Sequence, residues 1–222
     1  MFRLTIISVE KEERMKRLKF SLLLALLMVS FTATAQTKAA EAAKAEIAAT
    51  AASLTSIQCD FVQTKHLKML NDKMVSYGRM YYQKSNKLHW EYTKPYAYTL
   101  ILNGQQVYMK NAKGTTTVNA QSSKLFREIG RIMMNCVMGK SLTNTKDFRV
   151  TMTETSGEWA ATMVPLRKNM KQMFTKIVLH FNKARKTVAA VDLYEKNGDR
   201  TNILLKNVIN NKPINAKVFA LH

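Results

Sequence analysis

The chain has 222 residues, with 35 Lys or Arg against 15 Asp or Glu, and its formal net charge is +20. This length fits one domain with a full core, and the charge favours anionic partners. The four histidines lack metal-ligand spacing, and the sequence has no CxxC, HExxH, GxSxG or glycine-rich phosphate loop. The sequence therefore points away from an enzyme and predicts no metal and no cofactor.

The first 35 residues have the features of a secretory signal peptide. Basic residues precede an apolar run from Leu22 to Phe31, and small residues up to Ala35 give a cleavage site before Gln36. The apolar run is too short for a membrane span. We therefore expect residues 1–35 to be removed, with Met15 as an alternative start, and residues 36–222 to form a single extracytoplasmic domain.

Cleavage at this site would leave a net charge of +17, because residues 1–35 carry six basic and three acidic side chains. Outside the cytoplasm, nucleic acid is not an expected partner. Anionic membrane headgroups, lipopolysaccharide phosphates or an acidic protein segment are better candidates. A solvated basic surface without a partner is the alternative.

An Ala-rich segment from Lys38 to Leu54 has apolar residues at spacings of three and four, which predicts an amphipathic helix. Beyond it, alternating apolar residues and turn signals such as Asn103-Gly104 predict antiparallel strands. The predicted strands are Ser56–Leu67, Met74–Gln83, Lys87–Tyr92, Tyr96–Leu102, Gln105–Asn111, Asp147–Thr155, Glu158–Val164, Met173–Phe181, Val188–Glu195, Arg200–Asn207 and a short one near Val218.

The pattern changes to a helical period between Ser122 and Gly139. Apolar residues from Leu125 to Val137 fall on one stripe, with basic side chains opposite, which predicts a second helix. Several strands carry apolar residues on both faces, so the sheet needs two coverings. A curled, partly open barrel with the second helix as its lid provides both.

The stretch from Gly78 to Tyr108 is rich in aromatic residues that recur at period two, so consecutive strands present them to one face. Tyrosine suits the mouth of a cavity because its ring is apolar and its hydroxyl can meet water. Methionine can repack around chains of different length. The face either lines a cavity for an apolar ligand or forms an ordinary core.

Seven residues of this stretch follow a pattern of glycine, asparagine, tryptophan, proline and an Asn-Gly turn before an aromatic: Gly78, Asn86, Trp90, Pro95, Asn103, Gly104 and Tyr108. The pattern resembles that of the outer-membrane lipoprotein carrier family, the LolA-like proteins. The resemblance extends more weakly over most of residues 36–222, including a polar turn at Glu195–Arg200 and the aromatic Phe219.

The resemblance implies an α+β, mainly β fold: an incomplete antiparallel β-barrel of about eleven strands, with an N-terminal helix and a helical lid over a hydrophobic cavity. The cavity residues would be Phe61, Met80, Tyr82, Trp90, Tyr92, Tyr98, Leu100, Leu102, Leu125, Ile129, Ile132, Met133 and Val137. In the family an arginine followed by proline holds the empty cavity shut. This chain has Lys84-Ser85 instead, so Lys84 is the predicted gate, with looser closure because an ammonium lacks the planar fork of arginine.

The resemblance also implies a function. It predicts a monomeric, non-enzymatic periplasmic carrier that shields the acyl chains of lipoproteins and ferries them from the inner to the outer membrane. Its partners would be acylated lipoproteins, an ATP-driven inner-membrane transporter and an outer-membrane acceptor that the resemblance does not identify.

Two questions stay open at this stage. The chain could instead be a binding module for another envelope lipid or glycolipid, or a structural protein that uses its basic surface on anionic polymers. Cys59 and Cys136 both lie in apolar patterns, and they either form a disulfide or remain two buried thiols.

Overall fold

The structure is a computed structural model, and it describes residues 38–119, 135, 142 and 146–220. The predicted signal peptide, and the predicted lid helix apart from Asn135, lie outside the described residues. The chain divides into two compact units, Met1–Ala43 and Lys44–His222. The first contributes only helical residues 38–43 to the described part. No helix in the described ranges is long and apolar enough to cross a membrane.

The predicted N-terminal helix is confirmed over residues 38–53, here called α1. In the second unit its buried stripe includes Ile47 and ends at Leu54, two side chains that are almost fully buried. On another side of the helix, Glu46 forms an ion pair with Lys186, with 2.7 Å between Oε2 and Nζ. The helix therefore has one apolar stripe and a polar remainder, as its sequence pattern indicates.

Eleven strands form one sheet, and each neighbouring pair is antiparallel. The order across the sheet is β6-β5-β4-β3-β2-β1-β11-β10-β9-β8-β7, which leaves β6 and β7 as its edges and the sheet open. The predicted open, antiparallel, mainly β fold is thus confirmed. The strands are β1 Ser56–Leu67, β2 Asp72–Gln83, β3 Lys87–Lys94, β4 Tyr98–Asn103, β5 Gln106–Asn111, β6 Gly114–Asn119, β7 Phe148–Glu154, β8 Glu158–Pro165, β9 Phe174–Asn182, β10 Thr187–Glu195 and β11 Arg200–Asn210.

Three elements differ from the prediction. Strand β6 and a short helix α2, Lys168–Met173, were not predicted. The short strand predicted near Val218 is wrong, because Ala216–Phe219 forms a 3₁₀ helix. Asn215 caps this helix by accepting a hydrogen bond from the backbone N–H of Lys217, at 3.0 Å, and such a cap favours a helical turn over an extended strand.

The register gives the sheet two faces. Residues directly opposite each other in antiparallel strands share a face, so Cys59, Met80, Trp90, Leu100 and Met109 form one row across five strands. We call the face that carries this row the inner face and the opposite one the outer face. Large apolar side chains occupy most of the inner face.

The 3₁₀ helix covers the outer face of β3 and β4. Phe219 is fully buried, its carbonyl oxygen accepts a hydrogen bond from Asn103 Nδ2 at 3.1 Å, and the Val218 oxygen lies 2.7 Å from His89 Nδ1. Ile101 is buried on the same face of the sheet. This half of the sheet therefore has an apolar covering on its outer side that the sequence pattern did not reveal.

Candidate functional site

An aromatic cluster, defined here as Phe61, Trp90, Tyr92 and Tyr98, lies on the inner face of β1, β3 and β4. The Phe61 and Trp90 rings stack with their centroids 4.2 Å apart. Tyr92 meets the Phe61 ring edge-on at 5.2 Å and lies 6.3 Å from Tyr98. Period-two alternation brings these rings together, because each strand contributes every second residue to the face.

Gly78 makes room for this cluster. It lies directly opposite Phe61 on β1 and Tyr92 on β3. A Cβ atom at this position would be 2.0 Å from the Glu91 carbonyl oxygen and 2.3 Å from Phe61 Cζ. The Phe61 ring therefore occupies the space above the glycine, so this glycine is a packing requirement of the cluster.

The side chains of the aromatic cluster become more exposed towards one edge of it. Phe61 and Trp90 are buried, whereas Tyr92, Tyr98 and Leu100 are half-buried. The Tyr92 hydroxyl donates a hydrogen bond to Gln63 Oε1 at 2.9 Å, so its polar end is satisfied at the edge of the apolar surface. We call this half-buried edge the mouth of the aromatic cluster.

The surface around the cluster is uncharged. From the row of Ile57 to the row of Phe61, the inner face of β1–β6 carries no Asp, Glu, Lys, Arg or His. Burial raises the pKa values of Tyr92 and Tyr98, so both hydroxyls stay neutral at physiological pH. Burial also raises the pKa of Cys59 to about 12, and this free cysteine is not a thiolate nucleophile.

The structure brings eight predicted cavity residues together and says nothing of the other five. The eight on the inner face of β1–β4 are Phe61, Met80, Tyr82, Trp90, Tyr92, Tyr98, Leu100 and Leu102. The five predicted on the lid, which lie outside the described residues, are Leu125, Ile129, Ile132, Met133 and Val137. Sequence reasoning missed Leu88 and Val107, which share this face and are buried. The alternation Leu88-Trp90-Tyr92 would have identified the first of them.

The predicted gate, Lys84, lies in the turn between β2 and β3. Its backbone N–H donates to the Thr55 oxygen at 2.8 Å, and its side chain is exposed. The next residue, Ser85, has a φ of 79°. Proline is locked near −65°, so the Arg-Pro of the related pattern could not adopt this turn, and the departure at Lys84-Ser85 reflects a different local backbone.

A polar network lies on the outer face of β9–β11. Asp192 Oδ2 accepts from Arg200 at 2.9 Å and lies 3.1 Å from His180 Nε2, while Oδ1 accepts from Asn202 at 2.8 Å. Burial alone would raise the pKa of Asp192, but the hydrogen bonds from Asn202, Arg200 and His180 hold it below its ordinary value. The network ties three strands together by side chains in addition to the backbone ladder.

Comparison with known proteins gives a consistent picture of the fold. Residues 52–222 match the sequence model of the family described as Outer membrane lipoprotein carrier protein LolA. No curated protein matches the sequence. Among solved structures, the chain is similar to one from the Pseudomonas aeruginosa MucA/MucB complex, with 8% identity, a TM-score of 0.50 and coverage of 80% of this chain and 59% of that one.

Two further solved structures are similar at lower scores. A LolA superfamily protein from Nitrosomonas europaea has 10% identity and a TM-score of 0.42, with coverage of 76% of this chain and 91% of that one. The Mycobacterium tuberculosis lipoprotein LppX has 10% identity and a TM-score of 0.43, with coverage of 79% and 98%. At identities and TM-scores this low, neither similarity supports a conclusion about this chain.

Proposed function

The chain belongs to the LolA family of outer membrane lipoprotein carrier proteins, and we propose that it shields the acyl chains of lipoproteins on the inner face of β1–β4. The observation that carries this proposal is the aromatic cluster, an uncharged apolar surface with a half-buried mouth at Tyr92 and Tyr98. An acyl chain can reach such an edge, whereas a core that is closed on every side would exclude it.

The proposed carrier works between the two membranes. Residues 1–35 direct the chain out of the cytoplasm and are removed, and residues 36–222 act in the periplasm as a monomer. An ATP-driven inner-membrane transporter supplies acylated lipoproteins, and an outer-membrane acceptor receives them. The family consists of binding and carrier proteins, which agrees with a surface that holds a ligand without reacting with it.

The energetics of acyl-chain burial explain why a transporter is needed. Each methylene that leaves water for an apolar surface gains about 0.8 kcal/mol, so a dozen contribute on the order of 10 kcal/mol. Relative to a bilayer the gain is close to zero, because lipid tails are as apolar as the cluster. The carrier can hold its cargo in water but cannot extract it from a membrane without an outside source of energy.

We further propose that the predicted helix from Ser122 to Gly139 is the lid, with Met133 on its apolar stripe and Lys84 as the gate. Apolar lid residues that cover the cluster when it is empty compete with the acyl chain, so the lid adjusts affinity. Replacing Met133 by Glu would introduce a charge that the uncharged cluster cannot pair, and acyl chains would no longer be held.

The experiment that tests the carrier function uses spheroplasts of the host that contain a tagged lipoprotein. Purified protein comprising residues 36–222 is added, and the soluble fraction is analysed for a one-to-one complex with the lipoprotein. We expect release by the wild type. Lipid adducts in native mass spectra, without release of lipoprotein, would instead identify a binding module for another envelope lipid.

Two matched variants connect this result to the inner face. Leu100→Glu places a carboxylate on the inner face beside the cluster, and Thr99→Glu places one on the outer face of the same strand. Thr99 lies between Glu91 and Lys110, so the new charge there meets one neighbour of each sign. Release should be lost with Leu100→Glu and kept with Thr99→Glu. Equal release by both folded variants would contradict the assignment of the cluster.

A further inference from the structure

Exposed large hydrophobic side chains collect at one end of the sheet. Ten such side chains occur among the described residues, and only Leu204 and Ile209 lie away from this end. We call this end of the sheet the hairpin end, and its loops include those that join β1 to β2, β3 to β4 and β8 to β9. The exposed apolar residues of the hairpin end are Met69, Leu70, Met74, Tyr77, Tyr96, Val164, Leu166 and Met173.

At this end of the sheet, the β1–β2 hairpin extends well beyond the neighbouring strand β3. Strand β3 stops at Lys94, which pairs with Tyr77, so the five residues Asp72–Ser76 of β2 have only β1 as a partner. At about 3.3 Å per residue, the hairpin extends roughly 17 Å beyond β3. Met69 is 92% exposed and Leu70 is 72% exposed at its tip. Their exposure contributes nothing to folding.

A basic cleft of about 430 Å³ lies at the base of this tip. Its lining includes Lys68, Lys73 and Arg200 against the single acidic residue Asp72. Arg200 is paired with Asp192, whereas within the described part of the chain neither lysine forms an ion pair. Two cations without acidic partners therefore stand beside two exposed apolar side chains.

Gly198 helps to position one of these cations. It has a φ of 92°, and a Cβ atom there would come within 2.6 Å of Lys68 Cδ. The Lys68 side chain thus lies across the glycine, and both residues line the cleft.

We propose that the hairpin end docks on an anionic bilayer surface, with Met69 and Leu70 in the interfacial layer and Lys68 and Lys73 on lipid phosphates. Charge complementarity selects this occupant, since residues 36–222 carry a net charge of +17, from 29 basic and 12 acidic side chains, and the apolar tip is flanked by lysines. Apolar side chains beside lysines combine the two forces that hold proteins at anionic membranes.

Docking in this way brings the mouth of the aromatic cluster near the lipid. Tyr98 is the first residue of β4, directly after the loop that carries Tyr96, so the mouth opens at the hairpin end. This consequence rests on the proposed carrier function. The docking itself does not, because membrane binding can be measured without any cargo.

The test is co-sedimentation with vesicles, using protein expressed from its full sequence and purified in the form that the cell produces. The probes are phosphatidylcholine vesicles that contain phosphatidylglycerol and vesicles of phosphatidylcholine alone. We expect strong partitioning to the anionic vesicles, weakened by salt, and little to the neutral ones. Equal binding to both, or binding to neither, would overturn the proposal.

Paired variants test the tip and the cleft separately. Met69→Ser with Leu70→Ser should weaken partitioning by at least about tenfold, while the matched pair Leu204→Ser with Ile209→Ser should leave it within about twofold of wild type. Lys68→Gln with Lys73→Gln should weaken it on the order of 30-fold. The control for this pair is Lys206→Gln with Lys212→Gln. It also removes two positive charges from exposed lysines, but at sites away from the hairpin end.

Two outcomes separate this proposal from the carrier function. If each matched control pair weakens binding as much as its test pair, the bilayer is attracted by net charge alone and the docking surface is wrong. If Leu100→Glu loses lipoprotein release but binds anionic vesicles like wild type, docking and cargo binding are distinct. Circular dichroism of every variant shows whether the fold is kept, which is expected because all eight sites of the paired variants are exposed.

Discussion

The inner face of the sheet is built differently in its two halves. On β8 and β9, the central side chains Ala161, Met163, Ile177, Leu179 and Phe181 are all fully buried and mostly aliphatic. On β1–β4, the same face is aromatic and ends in the half-buried mouth of the aromatic cluster. One continuous sheet thus supports a packed core in one half and a graded apolar surface in the other.

The difference supports the proposal that the aromatic half, and not the aliphatic half, holds a ligand. Aliphatic side chains that are fully buried stabilise the fold by excluding water and leave no edge for another molecule. Tyrosines at a half-buried edge keep a hydroxyl in contact with polar groups, as Tyr92 does with Gln63, and leave the ring available. Mutations at the half-buried mouth and in the fully buried aliphatic core should therefore separate binding from stability.

The largest effect should come from Gly78 in the aromatic half. Gly78→Ala forces a Cβ atom against a backbone oxygen at 2.0 Å and against the Phe61 ring. We expect a loss of roughly 4 kcal/mol or more in the free energy of unfolding, measured by urea denaturation. Gly157→Ala is the control, since nothing lies within 4 Å of the new methyl group and its φ requires no glycine. If both variants lost only a similar small amount of unfolding free energy, the strands around Gly78 would be able to move apart, which would contradict the packing requirement.

A core deletion in the aliphatic half should rank second. Leu179→Ala removes a fully buried side chain and should lower the free energy of unfolding by about 2–5 kcal/mol. Leu100→Ala, at a half-buried position in the aromatic half, should cost roughly half as much and should reduce acyl-chain binding instead. The pair is compared by urea denaturation and by native mass spectrometry. Equal losses of stability would remove the distinction between the halves.

The smallest effect concerns the outer face behind the aliphatic half. Because hydrogen bonds lower the pKa of Asp192 in the folded state, its contribution to stability is complete above the unfolded value of about 3.9 and is lost as pH falls through the lower folded value. Asp192→Asn should therefore flatten the acid side of the stability profile. The two profiles, measured by urea denaturation at a series of pH values, should converge on acidification, and parallel profiles would contradict this.

Local periodicity was sufficient to predict most strands and the face to which they direct their side chains. Met80 and Trp90 alternate with polar neighbours, and their strands are where the sequence places them. Strand β6 could not be predicted from periodicity, because Thr115, Thr116 and Thr117 show no alternation of apolar and polar residues. Its β-branched residues favour a strand, but only pairing with β5 decides it.

Features that depend on distant residues could not be predicted. The segment near Val218 adopts a 3₁₀ helix because its carbonyls meet His89 and Asn103, which are more than a hundred positions away. The Asp192 network likewise joins three strands. The exposure of Met69 at the hairpin tip depends on where β3 ends, so a sequence pattern cannot distinguish it from a buried methionine.

The central position of β1 in the sheet also has a consequence for how the chain must fold. β1 pairs on one side with the adjacent β2 and on the other with β11, whose residues lie roughly 140 positions later in the chain. Closing so long a loop is entropically costly and slow compared with forming a local hairpin. The central pair therefore cannot form until most of the chain has been synthesised, and the polypeptide stays incompletely folded while it emerges. A chain with this delay is well suited to being threaded unfolded through a narrow export channel.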